Sequence, residues 1–214
     1  MSDHCCHAKG EDLARMSRRA DIRRVLIIVL AINLAMFVLE FGAGLIAQSA
    51  ALMADSMDML GDALVYAVSL YALDRSLKWR AGAALFKGGF ILVLGLAVVW
   101  QIAVKVLYGV PPSSVLMLVF GALALIANLA CLRLLWRFRA DNVNLSSTFE
   151  CSRNDVIANT GVIAAAGGVA LFQSPWPDIA VAAVIAFLFL RSAMRVTVEA
   201  WPQYKHPHAH HAAE

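Results

Sequence analysis

The chain has 214 residues, of which 61% are hydrophobic and only 15% are charged, whereas about a quarter of the residues in an average soluble domain are charged. This composition excludes an ordinary soluble domain and indicates an integral protein of the lipid bilayer. The net charge of +3 does not indicate a nucleic-acid partner, because apolar spans leave almost no soluble domain that could carry a basic face.

Windows of about 19 residues predict six membrane-spanning helices. In chain order they cover Val25–Ala47, Ser49–Leu73, Ala83–Val104, Ser114–Trp136, Ser147–Phe172 and Asp178–Val198. We therefore expect an all-α, polytopic membrane protein. Residues 1–24 form an N-terminal tail, residues 25–198 the six-helix transmembrane domain, and residues 199–214 a short C-terminal tail.

Basic residues predict the orientation of the chain in the membrane. They are Lys9, Arg15, Arg18, Arg19, Arg23, Arg24, Arg75, Lys78, Arg80, Lys87, Arg133, Arg137, Arg139, Arg153, Arg191, Arg195 and Lys205. With six spans all of these lie on one side, and only Lys105 of the 18 Lys and Arg residues lies on the other. The positive-inside rule then puts both termini in the cytoplasm. We expect the membrane to be a bacterial-type inner or plasma membrane. The thiols of Cys5, Cys6, Cys131 and Cys151 are expected to stay reduced there.

Two pairs of ionisable residues lie inside predicted spans. Asp58 and Asp62 are four residues apart in the second span, and Cys151 and Asp155 repeat that spacing in the fifth. Residues at i and i+4 share one helix face. Asp62 and Asp155 are each about 16 Å from the predicted cytoplasmic end of their helix, at 1.5 Å per residue. The two helices are antiparallel, so the four side chains could close a cage near the bilayer centre.

Three carboxylates and one thiolate supply four anionic ligands, the number that a tetrahedral divalent ion takes. The sulfur favours zinc, cadmium or similar thiophilic ions over magnesium, calcium and manganese. Without a metal, some of these groups must hold protons, because several unpaired charges are costly in a low dielectric. Metal binding would then expel protons, which is a direct route to proton–metal antiport.

Other interpretations remain open. A single membrane aspartate or cysteine can be structural, although two matched pairs make this less favoured. An intramembrane aspartyl hydrolase could use Asp62 and Asp155 as an acid–base dyad, but a Gly-x-Gly-Asp motif is missing, since the sequence reads Met59-Leu60-Gly61-Asp62. A non-transporting membrane metal sensor or partner subunit would bind metal without moving it.

These motifs resemble the cation diffusion facilitator family of divalent-metal transporters. The resemblance lies in Asn33 to Asp62, with Glu40, Gly44, Ser49 and the run from Ala51 to Asp58, and in Cys151-Ser-Arg-Asn-Asp155 followed by Asn159-Thr-Gly161. It implies a metal site of Asp58, Asp62, Cys151 and Asp155, and an alternating-access exchanger that moves zinc-like ions, Zn²⁺ or Cd²⁺, out of the cytoplasm against protons. It implies no enzymatic activity and no prosthetic group.

The sequence departs from the family pattern in two ways. Family members usually have His or Asp where Cys151 stands, so metal selectivity does not carry over. They also usually carry a cytoplasmic regulatory and dimerising domain after the sixth span, whereas only about 16 residues follow Val198 here. We therefore expect no such domain, and any homodimer would form through the transmembrane helices.

Further polar residues are candidates for auxiliary roles. Asp55, Glu40 and Asn159 are candidates for lining the ion pathway, with helix packing as the alternative for Asp55 and Glu40. A second set outside the membrane could capture metal ions, because imidazole and thiolate bind zinc-like ions. It comprises His4, Cys5, Cys6, His7, His206, His208, His210 and His211. The alternative is that the C-terminal histidines are incidental to a disordered tail.

Overall fold

The computed structural model describes the backbone of residues 3–72, 77–139 and 143–205, and most side chains within 20–70, 85–139 and 152–194. All regular structure in these ranges is helical, in six helices. They are α1 (Asp3–Ala47), α2 (Ala50–Ala72), α3 (Leu77–Tyr108), α4 (Ser114–Trp136), α5 (Val143–Phe172) and α6 (Trp176–Lys205). The all-α class and the six helices predicted from hydropathy are confirmed.

Several helices extend beyond the predicted spans. α1 begins at Asp3, long before Val25, and α3 begins at Leu77 rather than Ala83. Hydropathy detects only the part of a helix that lies in hydrocarbon, whereas a helix can continue into water with polar residues. Four stretches among the described residues are long and apolar enough to cross a membrane: Ala20–Ala47, Gly88–Tyr108, Ser114–Trp136 and Ser152–Phe172.

The helices pack as a four-helix bundle with an attached pair. α1, α2, α4 and α5 form the bundle, in which α1 contacts α2 and α4, and α5 contacts α4 and α2. α3 and α6 pack on each other and then on α2, and α6 also contacts α5. This arrangement makes α2 and α5 neighbours in the centre of the molecule, which is the contact that the predicted metal site requires.

The connection between the first two helices is very short, since α1 ends at Ala47 and α2 begins at Ala50. Gln48 adopts a left-handed conformation with φ of 53°, and the Ser49 amide donates back to the Gly44 carbonyl at 3.0 Å. A left-handed residue is a common end for a helix. The two helices approach closely, because a Cβ on Gly44 would lie 2.6 Å from Cγ of Met53.

A buried polar network joins the outer ends of the helices. The Asp178 carboxylate is fully buried in the first turn of α6 and accepts hydrogen bonds from the Ala50 amide at 2.8 Å and the Ala51 amide at 3.1 Å. It also accepts from the Ser49 hydroxyl at 2.6 Å and pairs with Lys105 of α3 at 2.7 Å. The Asp178 carboxylate therefore caps the N-terminus of α2.

Large apolar side chains cover the outside of the helices. Ile46, Trp100 and Leu171 are each more than 70% exposed. A soluble monomer rarely exposes so much contiguous apolar surface. This surface fits a lipid environment, in agreement with the predicted membrane location.

Candidate metal site

Three aspartates form a line along the inner face of α2. Asp55 and Asp62 are 1% and 6% exposed, whereas Asp58 retains part of its accessible surface. Their spacing of three and four residues puts them on one face, and Asp58 interacts electrostatically with both of the others. The face that the sequence predicted therefore points into the bundle.

Asp155 of α5 meets this line from the opposite side. Its side chain is 4% exposed and lies close enough to Asp62 and Asp58 to interact electrostatically with both. Its second oxygen, Oδ2, is buried and has no hydrogen-bond partner. The predicted proximity of Asp62 and Asp155 is confirmed.

Tyr66 is part of the site, although the sequence did not single it out. Its hydroxyl donates to Oδ2 of Asp62 at 3.1 Å, and the side chain is fully buried one turn along α2, on the side predicted to be cytoplasmic. It packs in a buried apolar cluster with Val29 and Leu135. The i, i+4 spacing from Asp62 was a signal for this contact. Tyr66 both orients Asp62 and covers it from that side.

The predicted four-ligand cage is only partly covered by the structure. The backbone of Cys151 lies in α5, but its side chain is outside the described residues. Among the side chains that are described, no three of His, Cys, Asp or Glu converge closely enough to hold a metal ion together. The ligand set of Asp58, Asp62, Cys151 and Asp155 therefore stays a prediction, supported by the approach of α2 and α5.

Glu40 and Asp55 form a second buried acidic pair, between α1 and α2. They are close enough to interact electrostatically, yet neither Glu40 oxygen has a hydrogen-bond partner of normal geometry, and Oδ2 of Asp55 has none either. Buried polar groups are rarely left without partners. Asp55 lies one turn before Asp58 on the same face of α2, and the pathway role of the pair stays a prediction.

Asn159 lies one turn outward of Asp155 on the same face of α5. It is fully buried, and its amide nitrogen donates to the Asp155 backbone carbonyl at 2.6 Å. Its oxygen is buried without a hydrogen-bond partner. Arg153, by contrast, is exposed.

The terminal His and Cys clusters cannot be placed. The side chains of His4, Cys5, Cys6 and His7 and the whole of residues 206–214, with His206, His208, His210 and His211, are outside the described residues.

A cavity of about 270 Å³ lies at the outer end of the helices, lined in part by Gln48, Met53, Gln101 and Lys105. None of the predicted metal ligands lines it.

Comparison with known proteins identifies the family. The sequence profile of the cation efflux transmembrane domain matches residues 26–203. The chain belongs to the cation efflux, or cation diffusion facilitator, family. This confirms the resemblance seen in the motifs of α2 and α5, and it makes the chain a multi-pass membrane protein.

Two bacterial relatives illustrate what this family member is similar to. The metal cation efflux system protein CzcD of Cupriavidus metallidurans is 26% identical over 200 residues, which cover 84% of this chain and 63% of the relative. The cadmium, cobalt and zinc/H(+)-K(+) antiporter of Bacillus subtilis is 24% identical over 191 residues, covering 82% of this chain and 61% of the relative. The chain thus spans about three fifths of the length of these relatives.

Proposed function

We propose that this family member exports zinc-like divalent cations, Zn²⁺ or Cd²⁺, from the cytoplasm in exchange for protons. The observation that carries the proposal is the meeting of Asp62 and Asp155, two buried carboxyl groups from helices far apart in the chain. The names of the relatives support the same class of substrate, since one is a metal cation efflux protein and the other names cadmium, cobalt and zinc. Transport is favoured over an aspartyl hydrolase by the family to which the chain belongs.

The proposed ligands are Asp58, Asp62 and Asp155, with Cys151 as the fourth. Cys151 is one turn before Asp155 on α5, on the same helix face, and it would add a soft ligand to three hard ones. Asp58, Asp62 and Asp155 already lie within electrostatic reach of each other.

Proton exchange follows from the same contact. Two buried carboxyl groups this close together favour a proton on at least one of them, because two unpaired charges are costly in a low dielectric. A divalent ion bound by both carboxylates would displace that proton. Proton and metal therefore compete for the same oxygens. The site would carry metal out of the cytoplasm and protons back in.

The pathway would run along the line of aspartates. Tyr66 covers Asp62 on the cytoplasmic side, so it would have to move when an ion arrives. Asp55, Glu40 and Asn159 lie outward of the proposed site and offer oxygen atoms to a leaving cation.

The terminal clusters would collect metal ions in the cytoplasm. They comprise His4, Cys5, Cys6 and His7 together with the C-terminal histidines. We propose that any homodimer forms through the lipid-facing helices.

Flux measurement tests the proposal. Inside-out vesicles that contain the protein should take up zinc or cadmium when a pH gradient is imposed, and Asp155→Ala should abolish this uptake. The matched control is Asn154→Ala, since Asn154 neighbours Asp155 on α5 but is exposed, and it should retain uptake. Wild-type vesicles without flux, or unchanged flux in Asp155→Ala, would rule the proposal out. Metal binding without flux would indicate a sensor.

A further inference from the structure

Asn128 carries a buried amide that the proposed function does not use. It lies in the middle of α4, a helix that is long and apolar enough to cross a membrane, and its side chain is 1% exposed. The amide nitrogen, Nδ2, is buried with no hydrogen-bond partner. An unpaired buried donor typically costs about 1–3 kcal/mol, and lipid offers it no other partner. The residue across from this amide is therefore of interest.

The packing of α4 against the antiparallel α5 gives the residue opposite Asn128. A Cβ on Gly121 would lie 3.2 Å from Cγ1 of Val162, so these two residues are at the same level. Asn128 follows Gly121 by seven residues, and Asp155 precedes Val162 by seven. Seven residues make almost two full turns, so each helix presents the same face again. Asn128 and Asp155 therefore lie at one level on the two facing surfaces.

A second contact gives nearly the same register from the other end of α4. The rings of Trp136 and Phe149 meet edge to face, with their centroids 5.4 Å apart. Eight residues back along α4 from Trp136 is Asn128, and eight residues on along α5 from Phe149 is Ile157. Ile157 is two residues, or about 3 Å along the axis, from Asp155. Both contacts thus put Asn128 beside the same turn of α5.

The facing polar groups of Asn128 and Asp155 are chemically complementary. Nδ2 of Asn128 is a buried donor and Oδ2 of Asp155 a buried acceptor, and neither has a hydrogen-bond partner. A hydrogen bond from an amide to a carboxylate is charge-assisted and roughly twice as strong as one between neutral groups. The buried oxygens of Asn33 and Asn159 also lack partners, but they are neutral and would form the weaker bond. Asp155 is therefore the favoured acceptor.

We propose that Asn128 is a positioning residue of the metal site, whose amide donates to Oδ2 of Asp155 and leaves Oδ1 directed at the ion. This inference rests on the proposed function, in which Asp155 is a ligand. A carboxylate held through one oxygen has fewer orientations to lose when it binds metal. Removing a group that orients a ligand in this way typically weakens metal binding about 10–100-fold. α4 would thus contribute to the site without supplying a ligand.

Zinc binding to the purified full-length protein, measured by isothermal titration calorimetry, tests this inference. The membrane site is measured alone if every His and Cys in residues 4–7 and 206–211 is replaced by Ser. Asn128→Leu removes the amide, and we expect the Kd for zinc to rise roughly 10–100-fold. Asn128→Gln keeps an amide and should recover part of this loss. The matched control is Asn154→Leu, since Asn154 is exposed on α5, and its Kd should be unchanged. An unchanged Kd in Asn128→Leu would overturn the inference.

A double-variant comparison separates action through Asp155 from a general effect on the fold. Asp155→Ala should bind zinc weakly through the remaining ligands, and adding Asn128→Leu should leave this residual Kd unchanged. An equal loss of affinity in both backgrounds would overturn the inference and point to another partner, such as Asn33. The Tm of Asn128→Leu without metal should not fall, because an apolar group replaces an unpaired amide. Asn128→Ala removes the same donor and takes its place if Asn128→Leu does not fold.

Binding and flux together distinguish this inference from the proposed function. A Kd that depends on Asn128, in a protein that moves no zinc, would support the positioning role and contradict the proposed transport. Zinc flux with a Kd that does not depend on Asn128 would do the reverse.

Discussion

Asp62 lies between three groups that set its chemistry: Asp58 on its own helix, Asp155 on α5 and the Tyr66 hydroxyl. Two of the three are acidic, so they repel an ionised Asp62, whereas the third donates a hydrogen bond that favours it. A divalent ion is the partner that would satisfy all of the carboxylates together. The Tyr66 hydroxyl then determines which Asp62 oxygen remains available to the ion.

Replacing Tyr66 by Phe removes only the hydroxyl and should weaken zinc transport. We expect the KM for zinc to rise roughly 10–100-fold, the range found when a residue that orients a metal ligand is removed. The measurement is the initial rate of zinc uptake against zinc concentration. Tyr108→Phe is the matched control, because Tyr108 is 82% exposed on α3, and its KM should be unchanged. An unaltered KM in Tyr66→Phe would mean that the hydrogen bond to Asp62 does not position a ligand.

Replacing Cys151 by His should shift selectivity from cadmium towards zinc, because a harder nitrogen takes the place of sulfur. The measurement is the ratio of cadmium to zinc transport rates in the same vesicles. We expect this ratio to fall about tenfold, which corresponds to about 1.4 kcal/mol. Equal ratios in wild type and variant would show that Cys151 is not a selective ligand.

The i, i+4 spacing was enough to predict that Asp58, Asp62 and Asp155 face the bundle, since spacing on one helix fixes a shared face. It could not predict the contact of Asn33 on α1 with Cys131 on α4. Their contact joins residues 98 positions apart in the chain, and only the packing of α1 on α4 brings them together. Asn128 and Cys131 form a polar i, i+3 pair in an otherwise apolar helix, which is only a weak sequence signal of a buried polar contact.

At the scale of the helices, Asp178 connects elements from three parts of the chain. Its carboxylate caps the N-terminus of α2, where free amide groups and the helix dipole favour a negative charge. Lys105 of α3 balances that charge and also donates to the Gln48 carbonyl at the end of α1. The outer ends of α1, α2, α3 and α6 are therefore held together by one buried ion pair.

Asp178→Asn should destabilise the protein strongly. It would leave the Lys105 charge, which is 8% exposed, without its counter-charge, and breaking a buried ion pair from one side typically costs about 3–5 kcal/mol. The measurement is the Tm in detergent, which we expect to fall clearly. Asp21→Asn is the control, because Asp21 is exposed on α1. The double variant with Lys105→Met should recover part of the loss. An unchanged Tm in Asp178→Asn would contradict the proposed role of the ion pair.

Hydropathy predicted the helices because each must hide its backbone from lipid along the full hydrocarbon thickness. The same rule does not apply beyond that layer, so the early starts of α1 and α3 were not predicted. Asp178 illustrates a second limit. Its place at the start of a helix suggested a local cap, whereas the partner it caps is α2, more than a hundred residues earlier in the chain.

At the scale of the whole molecule, the acidic line lies inside the four-helix bundle and next to the attached α3–α6 pair. The outer end is closed by the Asp178 network, and the cytoplasmic side of Asp62 is covered by Tyr66. An exchanger must expose its site to one side at a time. Transport would require the packing at these two places to open in turn. Proton and metal would alternate on the carboxyl groups between them.

Simultaneous recording of metal and proton movement in proteoliposomes that contain only this protein tests the central claim most directly. Zinc uptake should be accompanied by proton movement in the opposite direction, should speed up when the proton gradient is steepened, and should be lost together with the proton signal in Asp155→Ala. Zinc uptake that proceeds without proton movement, or that survives in Asp155→Ala, would contradict exchange at the Asp62–Asp155 site.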